Sequence, residues 1–255
     1  MHATQYSDVN TLLARLLPCV RDVLQENLVG VYLYGSVATG DFDTGVSDVD
    51  LLAVTSTDLS AAEFAAVRAM HLEVARDNPE WEDRVEVAYL SVAALRSFRS
   101  QTSPIAVISP GEPFHMKDAG TDWLANWYCV RENGVALHGP PPHALIAPIS
   151  REEFAQCIRD YAADWGDRIR DAREPKLQAY AILTMCRALH THVTGEQASK
   201  KQAALWARAK LPQWSALIQS ALARRDAWRE TQVFDAAAHA DSVRFVTLVN
   251  RQIRV

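Results

Sequence analysis

Apolar residues recur at helical spacing from Ser7 to about Asn27, where Leu12, Leu13, Leu16, Leu17, Val20, Val23 and Leu24 make one stripe that Pro18 is expected to kink or break. The pattern then changes period. Val29 to Tyr34 is β-branched and aromatic and runs into Gly35-Ser36; a polar, turn-rich stretch from Thr39 to Ser47 follows, and Val49 to Val54 reads as a second strand. Ser60 and Glu63 form a capping-box pattern ahead of a helix carrying Phe64, Val67, Met70 and Val74, and Arg84 to Leu90 alternates as a third strand. From Ser97 to Pro148 the periodicity fades into an expected loop with Pro104, Pro110 and Pro113, a Trp-rich helical segment from Asp122 to Arg131, and the breaker Gly139-Pro140-Pro141-Pro142. Beyond Pro148 the pattern is helical only. Ser150 with Glu153 caps a helix faced by Phe154, Ile158, Tyr161, Trp165 and Ile169. Leu177 to Val193 is apolar nearly all round and stops at Thr194-Gly195; Ser199 with Gln202 opens another helix, and two more finish the chain. The expected architecture is α+β: a mixed β-sheet domain with flanking helices over residues 1–148, then an α-helical bundle over 149–255.

Composition narrows the class. With 255 residues, 49% apolar and 22% charged, the chain can bury an ordinary core without staples and reads as soluble and globular. No run approaches a membrane span and no secretory leader is visible, so a cytoplasmic protein without a membrane partner is expected. The cysteines Cys19, Cys129, Cys157 and Cys186 are too scattered for a disulfide framework or a zinc site and are expected to be buried thiols. A formal charge of −5 argues against a nucleic-acid partner, because affinity for a polyanion comes from Lys and Arg, and it suits a cationic ligand.

The stretch richest in chemistry is Gly35-Ser36, eleven residues, then Asp48-Val49-Asp50. Strand alternation puts Asp48 and Asp50 on one face, where two carboxylates share divalent cations. Magnesium relieves their repulsion, bridges triphosphate oxygens and, with a second ion present, stabilises both the attacking and the leaving oxygen. Gly35 allows close backbone approach to phosphate, Ser36 offers an N–H and a hydroxyl, and Ser47 adds a further polar contact. Glu86 on the third strand would stand beside the pair if that strand is its neighbour. There it could ligate metal or take the acceptor proton, and the base role is preferred.

At these residues the chain resembles the polymerase-β-like nucleotidyltransferase superfamily, and more closely the bacterial aminoglycoside adenylyltransferases that modify streptomycin and spectinomycin. The closer resemblance extends through Val85-Glu86-Val87, Leu137-His138-Gly139-Pro140-Pro141, Leu183-Thr184-Met185-Cys186-Arg187, Val193-Thr194-Gly195-Glu196, Ser199-Lys200 and Leu205-Trp206-Ala207. It implies a catalytic sheet domain, a helical domain that completes a cleft for ATP and acceptor, Arg187 and Lys200 as phosphate contacts, and Glu86 as catalytic base. The expected reaction is magnesium-dependent transfer of AMP from ATP to a hydroxyl of a small aminoglycoside-like cation, by a monomer using two metal ions. Another acceptor, such as a metabolite or a protein side chain, is the alternative; a catalytically silent nucleotide-binding regulator is a third.

Arg187 and Lys200 also make sense unaided, since a triphosphate needs more positive charge than magnesium supplies. A solvated lysine in a first helical turn and a structural ion pair for Arg187 are the competing explanations. One departure from the resembling enzymes stands out. They carry a drug-recognising acid and histidine where this chain has Leu177 and Tyr180. Asp167, Asp171 and Glu174 lie just upstream as a replacement acidic wall, although a solvated helix face is the better explanation for each of them. Trp123 and Trp127 suit core packing better than a ligand wall, His190 and His192 face different ways, and His115 lies in a loop that could reach a cleft.

Overall fold

The structure is a computed structural model that describes residues 3–227 and 230–254. Two compact units divide at Pro148 and Ile149. Unit 1 runs α1 (Ser7–Leu24), β1 (Leu28–Tyr34), α2 (Gly35–Ala38), β2 (Val49–Thr55), α3 (Ala61–Asp77), β3 (Val85–Ser91), α4 (Val92–Ser97), β4 (Ser103–Ser109), β5 (Glu112–Ala119), α5 (Leu124–Asn133), β6 (Val135–His138) and α6 (Pro142–Leu145). Unit 2 contains α7 (Arg151–Asp171), α8 (Pro175–Thr194), α9 (Lys200–Lys210), α10 (Ser215–Asp226) and α11 (Ala236–Ile253).

The six strands form one mixed sheet in the order β5-β4-β3-β2-β1-β6. Only β2 and β3 run parallel, joined by the crossover through α3. One face is apolar. Val31, Leu33, Leu51, Ala53, Val87 and Tyr89 pack there against Leu12, Leu13 and Leu16 of α1 and Val67 and Met70 of α3. Strand alternation sends Tyr32, Tyr34, Asp50, Leu52, Glu86 and Ala88 to the opposite face. Burying the apolar stripe under two helices thus sets which face carries the polar chemistry.

Three local expectations change. Helix α1 continues unbroken through Pro18, because Pro18 and Ala14, whose carbonyl loses its amide partner, both face solvent. Between β1 and β2 the chain does not simply turn but makes the helical turn α2 before the loop. The expected loop after Ser97 contains the hairpin β4-β5 and the strand β6. Its prolines are tolerated because Pro113 lies on the edge strand and Pro104 lies beyond the stretch of β4 that pairs with β3.

In unit 2, α8 is the central helix, in contact with α7, α9, α10 and α11. That is why Ala181, Ile182, Leu183, Met185 and Cys186 are buried in succession rather than at every third or fourth position. Capping boxes at Ser60–Glu63, Ser150–Glu153 and Ser199–Gln202 start α3, α7 and α9, and Gly195 ends α8 in the left-handed conformation. Cys129, Cys157 and Cys186 are buried and Cys19 is half-buried. Burial pushes the Cys186 thiol up to about 12. Among the described residues no helix is long and apolar enough to cross a membrane.

Candidate active site

The site grows from the register of three strands. Tyr34 of β1 pairs with Asp50 of β2, and Asp50 pairs with Glu86 of β3. These side chains therefore form one row across the polar face. Tyr34 reports their proximity: burial first, then the Glu86 and Asp50 carboxylates, hold its phenol well above its ordinary pKa and so neutral.

Gly35 follows Tyr34 with φ +68°, and a Cβ placed there would fall 1.8 Å from Asp50 Oδ2. The backbone thus passes directly over the Asp50 carboxylate, a path that only glycine allows. Ser36 is half-buried in α2, a single helical turn opening at the mouth of β1.

Asp48 stands one residue before β2, half-buried, at the end of the loop from Thr39 to Ser47. Ser47 is buried and engaged in that loop: its Oγ accepts from the Asp43 N–H at 3.0 Å, and its own N–H donates to the Asp43 carbonyl at 2.9 Å. Ser47 also presents its carbonyl to Arg84. The guanidinium donates through Nε at 3.2 Å and Nη2 at 2.8 Å while lying 4.5 Å from the Trp81 ring. The sequence reading missed Arg84; an arginine as the first residue of an otherwise β-branched strand pattern was its only signal.

Among the described residues no three His, Cys, Asp or Glu groups meet closely enough to hold a metal unaided. The donor set nevertheless fits magnesium bound together with a triphosphate, since that ion is held by one or two carboxylates and completes its shell with phosphate and water. Asp48, Asp50 and Glu86 carry oxygen donors of the kind such an ion takes, and the Gly35 path leaves backbone rather than side chain beside Asp50.

In unit 2, Arg187 is half-buried on α8 between the buried Cys186 and Ala188. No carboxylate among the described residues pairs with it. Lys200 opens α9, and its Nζ lies 4.6 Å above the Tyr180 ring, whose hydroxyl meets that of Tyr161 at 3.1 Å. Burial, with Tyr180 adding to it, pushes the Tyr161 phenol up to about 12. Leu177 and Tyr180 are exposed, as are Asp167, Asp171 and Glu174; Asp167 faces Arg170 at 3.6 Å. Trp123 and Trp127 are buried against each other with ring centroids 5.5 Å apart. His190 stacks edge-on against Trp206 and His192 is exposed. His115 lies on β5, not in a loop, with Nδ1 2.8 Å from the Pro113 carbonyl and Nε2 3.5 Å from Glu112.

Two family descriptions match these two units in turn. Residues 14–103 match the nucleotidyltransferase domain, and residues 144–249 match the aminoglycoside adenylyltransferase C-terminal domain. The chain is an adenylyltransferase, similar in both units to the aminoglycoside adenylyltransferases.

Its relatives include the aminoglycoside (3'') (9) adenylyltransferase of Escherichia coli, 26% identical, with 99% of this chain and 98% of the relative covered. The spectinomycin 9-adenylyltransferase of Staphylococcus aureus is also 26% identical and covers 77% of this chain and 76% of its own length. In fold, the chain resembles the spectinomycin adenyltransferase AAD(9) from Enterococcus faecialis, solved with ATP and spectinomycin. The TM-score is 0.74 at 15% identity, covering 96% of this chain and 99% of that one.

Proposed function

We propose that this adenylyltransferase transfers AMP from ATP to a hydroxyl of an aminoglycoside or aminocyclitol, with Glu86 as general base and Asp48 and Asp50 as magnesium ligands. The observation that carries the reading is the in-register row Tyr34, Asp50, Glu86 beneath the Gly35 backbone. Magnesium, when bound, supplies charge neutralisation for the triphosphate. The chain's own groups do the rest. Gly35 and Ser36 offer backbone N–H groups to the phosphates, and Arg187, which pairs with no carboxylate among the described residues, supplies cationic charge together with Lys200. Glu86 accepts the proton of the acceptor hydroxyl as that oxygen forms its bond to the α-phosphorus and pyrophosphate leaves. Ser47, whose hydroxyl accepts from the Asp43 N–H, shapes the loop ahead of Asp48 and remains the proposed further polar contact to the nucleotide.

The names of the relatives and the net charge of −5 support a cationic drug as acceptor. Leu177 and Tyr180 provide no carboxylate for its ammonium groups. A buried donor left without its acceptor costs about 1–3 kcal/mol, which is roughly tenfold to a hundredfold in affinity. Streptomycin and spectinomycin are therefore expected to be weaker substrates than another member of the class. Mass spectrometry of products after incubation with ATP, magnesium and a panel of amino-sugar antibiotics tests this. A mass increase of one AMP unit on any member, absent with Glu86→Gln, supports the reading; ATP turnover with no adenylylated member of the panel would overturn the acceptor class.

A further inference from the structure

Asp48 is bracketed by one residue. The carbonyl of Ser47, immediately before it, accepts from Nε and Nη2 of Arg84 at 3.2 and 2.8 Å, and the N–H of Val49, immediately after it, donates to the Arg84 carbonyl at 2.8 Å. Arg84 is only 3% exposed, and a guanidinium held in such a place is costly unless its donors are used. A third donor, Nη1, reaches the Glu80 carbonyl at 3.4 Å. The aromatic floor is shared. Trp81 lies under the Arg84 guanidinium and also meets Phe42 from the far end of the same loop, with ring centroids 6.4 Å apart. The turn that precedes β3 therefore grips the loop before β2 at two points, Phe42 and Ser47.

We propose that Arg84 is a positioning residue for nucleotide binding: by holding the backbone on both sides of Asp48, it sets the direction of that carboxylate toward the metal-bound triphosphate. The proposal rests on the reading of Asp48 as a magnesium ligand. Lysine is a poor substitute, because one ammonium cannot reproduce the planar fork that meets the Ser47 carbonyl twice while the ring face of Trp81 stacks beneath it. The contacts that carry the effect are those of Arg84 with the Ser47 carbonyl and the Val49 N–H. No contact between Arg84 and nucleotide is required.

The test compares Arg84→Lys and Arg84→Met with the parent protein. Hydrogen exchange followed by mass spectrometry, on metal-free protein, should show residues 41–50 exchanging about tenfold faster in Arg84→Met and by an intermediate factor in Arg84→Lys, while residues 51–55 and 87–91 are unchanged. Calorimetry should show magnesium-ATP affinity reduced about tenfold in Arg84→Met and partly restored in Arg84→Lys. Exchange that is unchanged, or that rises evenly through β2 and β3, would reduce Arg84 to a stabiliser of the sheet and overturn the proposal. So would unchanged nucleotide affinity in both Arg84 variants when Asp48→Asn loses it. If Asp48→Asn itself leaves magnesium-ATP affinity intact, the assignment of Asp48 has failed and the positioning role falls with it, an outcome the Asp48 variant identifies by itself. Should Arg84→Met not fold, Arg84→Lys carries the same comparison.

Discussion

Asp50 and Glu86 stand directly opposite each other on the parallel strands β2 and β3. Each of the two side chains has interactions of its own, and the proposed magnesium would add a cation that both carboxylates can share. Different consequences follow for the two residues. Replacing Asp50 with Asn should abolish turnover, because a neutral amide is a poor ligand for magnesium, while the chain still folds. Replacing Glu86 with Gln should lower turnover by roughly a hundredfold to ten-thousandfold while magnesium-ATP still binds. Thermal melts with pyrophosphate-release kinetics check both.

Gly35→Ala places a methyl 1.8 Å from Asp50 Oδ2 in a backbone with φ +68°. Strain of this kind costs about 1–3 kcal/mol. Because the atom displaced belongs to a proposed metal ligand, turnover should fall further than stability does. A variant that melts normally and turns over normally would show that the backbone path beside Asp50 is not part of the site.

Arg187→Met separates a structural arginine from a functional one. With no carboxylate partner among the described residues, losing the charge inside α8 should leave thermal stability unchanged or raise it. ATP affinity should nevertheless fall roughly tenfold to a hundredfold, read by calorimetry, as expected on losing a charge-assisted phosphate contact. A large drop in melting temperature with unaltered ATP binding would assign Arg187 to the bundle instead.

His71 gives a pH dependence with a definite sign. Buried on the inner side of α3 with its Nε2 2.8 Å from the Tyr89 hydroxyl, it is held neutral, its pKa lowered by burial from 6.5 to about 4. The unfolded chain takes up the proton first as pH falls. The contribution to stability is therefore complete above pH 6.5 and is lost progressively between pH 6.5 and about 4, a total on the order of 3 kcal/mol. Denaturant unfolding at pH 7.5, 5.5 and 4.5 should show the decline, and His71→Gln should flatten it.

Much of this protein was legible in its amino-acid order because the signals are local. The capping boxes at Ser60, Ser150 and Ser199 and the stop at Gly195 need only neighbouring residues. The long apolar stripes of α1, α7 and α8 announce buried helices in the same way. The strands β1, β2 and β3 carry enough β-branched and aromatic residues to declare themselves. Asp48, Asp50 and Glu86 stand out as candidates by residue type and spacing alone.

What tertiary structure alone decided is whatever depends on pairing across distance. The hairpin β4-β5 and strand β6 lack a strong period of their own and exist because β3 and β1 offer them open edges. Nothing in the neighbourhood of Glu86 states that β3 lies parallel to β2, or in the register that sets Glu86 opposite Asp50; the crossover through α3 and the burial of Leu51 and Val87 beneath it fix both. Arg84 is the clearest case. In sequence it is one charged residue at a strand end, and only the folded chain brings the carbonyl of Ser47, thirty-seven positions away, to its guanidinium. Hydrogen bonds to main-chain carbonyls depend on backbone geometry rather than on the partner's side chain, so they leave no mark in the order of residues.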